Sequence, residues 1–350
     1  MHLSTFLAAF GLATVSVFAQ AAPAARLDVR LSVATPVFQG DVDVPITVTV
    51  TNPSRSTVTV LASQLPGDDL ETNLFKLVRE KYVREKYVRE KEVAPYLGAL
   101  AKRKSPTAAE LVQIAPGATL TYQFELSAAY DLSQNGMYTI EYVGLDKHGG
   151  HGASTAPLYI WLEGRTAKAT IPAPVVGAAG LSFSGNCSAS QQTTIASAVS
   201  AATSYAVGAA TYLGGSPSAT ARYTTWFGAF DATRWATVKS HFNAEVDAFQ
   251  NKPVTVDCKC KKSNVYAYVY PTQPYKIYVC GAFWAAPMTG TDSKAGTLIH
   301  EMSHFNVVAS TDDWAYGQTN AKALAISDPV KAVDNADSHE YFAENTPALP

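Results

Sequence analysis

A stretch rich in Ala, Gly and Pro, residues 164–180, divides the 350-residue chain into two parts that differ in periodicity. Before it, apolar and polar residues alternate as in half-buried strands, whereas after it apolar residues recur with helical spacing. We therefore expect an all-β, sandwich-like domain over residues 22–163, an exposed linker over 164–182 and an α+β domain over 183–350.

The first part contains three clearly alternating segments and an unusual repeat. The alternating segments are 45–51, 119–126 and 137–143. Val-Arg-Glu-Lys recurs at 78–81, 83–86 and 88–91, and its period of five matches neither a helix nor a strand. We expect the repeat to form a charged, solvent-facing helix or an extended hairpin, with a recognition segment as the alternative.

The second part begins with two helices and a hairpin. The first helix has one apolar face made of Ile195, Val199, Ala202, Tyr205 and Ala206. The second starts near Asp231 and has a face made of Trp235, Val238, Phe242, Val246 and Phe249. Segments 264–270 and 275–280 predict the hairpin, and residues 292–344 predict further helices and loops.

The first 21 residues are typical of a secretory signal peptide. An apolar run from Phe6 to Phe18 precedes Ala19-Gln20-Ala21, a small-x-small cleavage pattern. An uncleaved anchor is the alternative. No other stretch reaches the roughly 18 apolar residues of a membrane span, so we expect a secreted, extracellular protein without a membrane segment in its mature form. The net charge of −2 gives no reason to expect a nucleic-acid partner.

All four cysteines lie in the second part, and an even number in an exported chain predicts two disulfides. A Cys258–Cys260 bond would require a strained, tight loop. Of the two remaining pairings we favour Cys187–Cys258 with Cys260–Cys280. A structural zinc site made of four thiolates is the alternative, although a second closely spaced pair is lacking.

The segment His300-Glu301-Met302-Ser303-His304 contains the pattern His-Glu-x-x-His on a predicted helix that is capped by Asp292 or Ser293 and continues to about Val308. Histidines four residues apart share one helix face, so both imidazoles can reach one zinc ion. Glu301 can then take a proton from water beside the metal. Two surface histidines on an ordinary helix are the alternative reading.

A catalytic zinc site needs a third protein ligand. A histidine six residues after His304 would suit one class of enzyme, but Ser310 stands there. Two kinds of carboxylate remain. Glu340 or Glu344 could come from a later helix, and Asp312 or Asp313 follow the histidines directly.

The segment after the histidines, Thr311-Asp312-Asp313-Trp314-Ala315-Tyr316-Gly317, resembles that of the aspzincins, the family of deuterolysin and the peptidyl-Lys metalloendopeptidases. The likeness covers 183–350 and is greatest to the peptidyl-Lys enzymes. It extends to five further segments: 223–228, 266–271, 280–284, 290–293 and 335–342. Ser310 departs from the family's Gly, and residues 22–163 resemble the family's propeptide more loosely.

The resemblance implies a zincin-like fold and a role for each site residue. Asp313 matches the third ligand of a single Zn²⁺, and Tyr316 matches the tyrosine that stabilises the oxyanion. Asp337 and Glu340 match the acidic pair that receives a lysine side chain. The alternatives are a helix cap for Asp313, a packing role for Tyr316 and a solvated acidic face for the acidic pair.

We therefore expect a zinc endopeptidase that acts on proteins and peptides and cuts before lysine. It would be a monomer made as a zymogen, with its own propeptide as a partner and a first self-cleavage at Ala167–Lys168 in the linker. The alternatives are a broad-specificity deuterolysin and a secreted binding protein without activity.

Overall fold

The computed structural model describes residues 26–67, 72–83, 88–147, 153–166 and 179–350. The predicted signal peptide and the predicted cleavage bond Ala167–Lys168 lie outside these ranges. Within them, no helix combines the length and the apolar character needed to span a membrane.

The N-terminal region is rich in β-structure, as its alternating segments predict. Its strands are β1 (Leu27–Ser32), β2 (Val37–Gln39), β3 (Pro45–Thr51), β4 (Val58–Leu61), β5 (Phe75–Val83), β6 (Val88–Val93), β7 (Leu100–Arg103), β8 (Leu111–Ile114), β9 (Thr119–Glu125), β10 (Gly136–Tyr142), β11 (Ala153–Thr155) and β12 (Leu158–Glu163). Short 3₁₀ helices occupy Ala62–Gln64, Ala108–Glu110 and Gly144–Asp146, and a single helical turn, α1, occupies Leu126–Ala129.

Two sheets of this region share one hydrophobic core. Their strand orders are β11-β1-β3-β9 and β2-β12-β10-β5-β6, and β4 pairs separately with β8. Every second residue of β3 points into the core, so Ile46, Val48 and Val50 are buried. Of the repeat, residues 78–83 lie on β5 and residues 88–91 on β6, and these strands pair antiparallel with Tyr82 opposite Arg89. Residues 84–87 lie outside the described ranges. The hairpin alternative for the repeat is therefore confirmed.

The C-terminal region combines a mixed sheet with helices. Its strands are β13 (Gly180–Ser184), β14 (Pro253–Asp257), β15 (Val265–Val269) and β16 (Lys276–Val279). Its helices are α2 (Ala189–Gly214), α3 (Ala221–Phe227), α4 (Ala232–Asn251), α5 (Gly281–Ala285), α6 (Lys294–Ser303), α7 (Gly317–Ser327), α8 (Pro329–Val333) and α9 (Ala336–Glu344). The predicted helical faces on α2 and α4 pack into a second, separate core with α6 and α9.

The sheet of the C-terminal region has the order β13-β14-β16-β15-β7. Its last strand, β7, comes from the N-terminal region and runs antiparallel to β15. Two disulfides flank this sheet, Cys187–Cys258 and Cys260–Cys280, as the sequence favoured. Strand β7 therefore carries the N-terminal region onto the edge of the other domain.

Two predicted boundaries are wrong. The linker was expected to extend to residue 182, but β13 starts at Gly180 and pairs in parallel with β14. A five-residue strand with a distant partner gives too little alternation to be recognised. The helix of the histidines was expected to reach Val308, but it ends at Ser303. The chain turns back there through Ser310, which adopts φ 55°, the left-handed conformation that glycine adopts readily.

Candidate metal centre and substrate cleft

Helix α6 carries His300 and is followed directly by His304, its C-cap residue, and all residues of the helix are buried. Ser293, rather than Asp292, caps it, because the Ser293 hydroxyl accepts a hydrogen bond from the Gly296 amide. Glu344 of α9 accepts hydrogen bonds from the Ser293 amide (2.9 Å) and hydroxyl (2.8 Å). Gly296 permits this close approach, since a Cβ there would collide with Glu344.

The Nδ1 atom of each motif histidine contacts a hydrogen-bond acceptor. His304 Nδ1 lies 2.8 Å from the carbonyl oxygen of Thr311. His300 Nδ1 lies 2.8 Å from Asp337 Oδ1. Partners of this kind fix the tautomer and the orientation of a metal-binding imidazole. Each Nε2 is thereby left as the nitrogen available to a metal ion.

Asp313 reaches the histidines because the chain turns back after α6. Its Oδ1 lies 3.2 Å from His300 Nε2 and 3.5 Å from His304 Nε2. Asn335 supports the turn, accepting hydrogen bonds from the amides of Trp314 and Ala315. Burial alone would raise the pKa of Asp313, but the two histidines hold it well below its ordinary value.

These three side chains fit a zinc ion. The Nε2 atoms of His300 and His304 and both carboxylate oxygens of Asp313 are buried and make no hydrogen bond within the described residues. Buried polar atoms are normally paired, so four such atoms in one place indicate a binding site for a cation. One ligand atom from each residue lies within 4.8 Å of the others. Two imidazole nitrogens and one carboxylate are a ligand set that zinc accepts.

The other candidate ligands lie elsewhere. Asp312 accepts from Lys147 Nζ (2.5 Å) and Asn73 Nδ2 (3.0 Å), two residues of the N-terminal region. Glu344 accepts a hydrogen bond from the Ser293 amide. Glu340 is near His300 Nδ1 (3.6 Å) rather than Nε2. Among the described residues, Asp313 is thus the carboxylate that joins both motif histidines.

Glu301 and Tyr316 contact consecutive residues of β7 beside this cluster. The Lys102 amide donates to Glu301 Oε1 (3.2 Å), and the Tyr316 hydroxyl donates to the Ala101 carbonyl oxygen (2.7 Å). Burial raises the pKa of Glu301 to about 8. Burial and then Asp313 raise the pKa of Tyr316 well above its ordinary value, so its hydroxyl remains a hydrogen-bond donor.

The predicted acidic pair lies on one face of α9 and contacts a lysine. Lys102 Nζ lies 2.6 Å from Glu340 Oε2, 3.6 Å from Asp337 Oδ1 and 3.1 Å from Asp292 Oδ1. The rings of Tyr266 and Tyr341 lie 5.3 and 5.5 Å from the same Nζ. We call Asp292, Tyr266, Asp337, Glu340 and Tyr341 the acidic pocket.

Three features of the site are absent from the sequence prediction. Asp292 was considered only as a helix cap, Asp337 also contacts His300, and Lys102 fills the acidic pocket. None of them has a local signal, because each depends on packing between distant elements. His339, by contrast, is structural, since its Nδ1 contacts the Asn335 carbonyl oxygen and its Nε2 contacts His241.

Comparison with known proteins identifies the family. Residues 212–344 match the aspzincin family model, described as lysine-specific metallo-endopeptidase. Over 340 residues, covering 93% of this chain and 94% of the relative, the chain is 42% identical to an extracellular protease of Aeromonas hydrophila. The chain belongs to the aspzincin family. This aspzincin is also 52% identical over 163 residues to a peptidyl-Lys metalloendopeptidase of Pleurotus ostreatus, covering 47% of this chain and 96% of the relative.

Among solved structures, the aspzincin is similar to a zinc peptidase from Grifola frondosa. The two share 51% sequence identity at a TM-score of 0.45, and the match covers 47% of this chain and 100% of the other.

The contact between Asp337 and His300 yields a prediction for this aspzincin. Asp337→Asn should weaken zinc binding by about 10–100-fold, the usual cost of losing a partner of a metal-bound histidine. Glu340→Gln, one helical turn away on the same face, is the matched control and should keep zinc affinity within a few-fold. Competition with a chromogenic chelator measures both. Equal zinc affinities for the two variants would contradict the orienting role of Asp337.

Proposed function

We propose that His300, His304 and Asp313 hold the catalytic Zn²⁺ of this aspzincin, that Glu301 and Tyr316 act on the scissile peptide, and that the acidic pocket selects lysine after the cut. The chain is a zinc metalloendopeptidase whose substrates are proteins or peptides. One observation carries the assignment of roles. The backbone amide of Lys102 contacts Glu301, and the carbonyl of the preceding residue, Ala101, contacts Tyr316. The ammonium of the same Lys102 lies in the acidic pocket.

The zinc ion supplies Lewis acidity, which polarises a carbonyl and acidifies water. Glu301 is a buried carboxylate next to the proposed ligand His300, which places it to take the proton of the attacking water. The bond from Lys102 N to Glu301 Oε1 indicates where a leaving nitrogen would lie, so the same carboxyl can pass the proton on. Tyr316 donates to the carbonyl oxygen, which becomes negative when water adds.

Lysine preference follows from the charge of the acidic pocket. Asp337 and Glu340 are almost fully buried, so they contact a lysine in a partly desolvated site. Charge-assisted hydrogen bonds contribute about 1.5–3 kcal/mol each, which corresponds to one to two decades of preference. The lysine ammonium is a compact point charge, which carboxylates converging on one point can bind. The guanidinium of arginine is planar and wider, and it needs a different arrangement of acceptors.

The β-rich N-terminal region is proposed to be the propeptide, a sandwich-like domain over residues 22–163 that precedes the processed linker. Contacts of β7 with Glu301 and Tyr316, and of Lys147 with Asp312, support this role because they cover the cleft. We further propose that residues 1–21 direct secretion and that the extracellular enzyme is a monomer. The two disulfides suit an oxidising compartment.

The test of lysine selection is a series of peptides that differ only in the residue after the cut. The active enzyme should cut the lysine peptide with a kcat/KM about 10–100-fold higher than the arginine or alanine peptide. Glu340→Gln should lower this ratio by about tenfold, since one charge-assisted contact becomes neutral. Equal kcat/KM values for lysine and alanine in the unmodified enzyme would refute the assignment of the pocket.

A further inference from the structure

Strand β7 lies where a bound peptide would lie. Without β7, β15 would form the edge of the catalytic sheet, and exposed edges bind extended peptides as an added strand. Ala101 and Lys102 are opposite Tyr268 and Ala267 of β15, and the Lys104 amide donates to the Asn264 carbonyl oxygen (2.9 Å). The backbone of β7 thus pairs with the catalytic domain across the site.

Three contacts of β7 are those expected of a bound substrate rather than of a structural strand. The carbonyl of Ala101 accepts from Tyr316, the amide of Lys102 donates to Glu301, and the ammonium of Lys102 enters the acidic pocket. The Ala101–Lys102 peptide bond therefore lies between the oxyanion donor and the general base. A strand that merely joined two domains would require none of these pairings.

The burial of Lys102 strengthens this interpretation. The residue is 1% exposed, and a buried lysine is costly unless it is paired. Burial by itself would lower the pKa of Lys102, but Asp337 and Glu340 outweigh it and raise that pKa well above the ordinary value. The ammonium is thus held as a cation by the groups proposed to receive a substrate's lysine.

The N-terminal domain anchors β7 on both sides of the contact. Leu100 is buried in the core of the N-terminal region, whereas Ala101 packs with Val265 and Cys280 of the catalytic domain. Lys147 and Asn73 bind Asp312, the residue next to the proposed ligand Asp313. Strand β7 is therefore held in the cleft by a folded domain of the same chain.

We propose that Ala101–Lys102 is a self-cleavage site, held in the cleft as a substrate and cut by the zinc-loaded chain itself. Water adds to the Ala101 carbonyl carbon, and the bond from that carbon to the Lys102 nitrogen breaks. One proton passes through Glu301 to that nitrogen. The products are an Ala101 carboxylate and a new N-terminus at Lys102. The inference rests on the proposed function, adds a defined bond to it and places this cut before the one expected from the sequence at Ala167–Lys168.

The direct test uses the full chain, freed of metal by a chelator and then supplied with Zn²⁺. Sequencing the products under denaturing conditions should give Lys102-Arg103-Lys104 as the earliest new N-terminus. Because the reaction is intramolecular, its half-time should not change over an approximately 100-fold dilution. An earliest N-terminus at Lys168, or none at Lys102 while lysine peptides are cut, overturns the inference but leaves the proposed function intact. If neither lysine peptides nor the chain are cut, the proposed function fails as well.

Two variants make the cleavage test specific. Lys102→Ala should abolish the cut at this bond, whereas Lys104→Ala should be cut at the unmodified rate because the Lys104 side chain is exposed. Loss of the cut in Lys104→Ala, or its persistence in Lys102→Ala, would contradict the role of the acidic pocket.

Occupancy of the cleft can be measured without turnover in the Glu301→Gln chain, by fluorescence anisotropy of a labelled lysine peptide. Adding Lys102→Ala should tighten peptide binding at least about tenfold, because β7 then no longer occupies the cleft for most of the time. Lys102→Gln, which keeps most of the side-chain volume, should act in the same direction. Unchanged peptide affinity in both double variants, with the circular dichroism of the folded chain retained, would refute occupancy of the cleft by β7.

Discussion

Glu301→Gln is expected to lower kcat/KM for a lysine peptide by at least about 10²–10⁴-fold, the usual contribution of a general base. The amide keeps the shape of the side chain but cannot take a proton from water. Zinc content should remain at one ion per chain, because Glu301 is not one of the three proposed ligands. Parallel measurements of peptide hydrolysis and of zinc by atomic absorption provide the test.

The zinc measurement distinguishes a lost base from a lost metal site. A Glu301→Gln enzyme that retains zinc and hydrolyses the peptide at nearly the unmodified rate would remove Glu301 from the mechanism. A variant that loses both zinc and activity would mean that Glu301 helps to hold the metal.

Asp313→Ala should have the second large effect, on zinc binding itself. Losing one of three direct ligands should weaken affinity by more than the roughly 10–100-fold cost of losing an outer partner. Activity should fall in proportion to the zinc lost. Titration of the metal-free protein with Zn²⁺ against a competing chelator measures the change.

The neighbouring residue provides the matched control for Asp313. Asp312→Ala removes the same functional group one position earlier, but its carboxylate contacts Lys147 and Asn73. Zinc affinity should therefore be retained in Asp312→Ala. If Asp312→Ala lost zinc and Asp313→Ala kept it, the assignment of the third ligand would be reversed.

The sequence predicts those parts of the site that local spacing determines. The choice of Asp313 over Asp312, Glu340 and Glu344 rests on the resemblance to the aspzincins rather than on spacing. Histidines four residues apart on a helix, by contrast, necessarily share a face. Asp337 and Glu340 likewise lie together because they are three residues apart on α9. These relations need no knowledge of the tertiary fold.

Other parts of the site depend on contacts between distant elements. The contact from Asp337 to His300 requires α9 to pack against α6, which Gly296 permits. The position of β7 is harder still to predict, since Leu100–Arg103 is only four residues long and its partner strand is more than 160 residues away. A short strand of this kind has too few residues for alternation to reveal it.

The central claim, a zinc endopeptidase that cuts before lysine, is tested most directly by the new N-termini that it produces. The active protein is incubated with a reduced, denatured protein substrate, with and without a zinc chelator, and all new N-termini are sequenced. We predict that the new N-termini begin predominantly with lysine and that the chelator abolishes them. New N-termini without an excess of lysine, or cleavage that the chelator does not affect, would contradict the account.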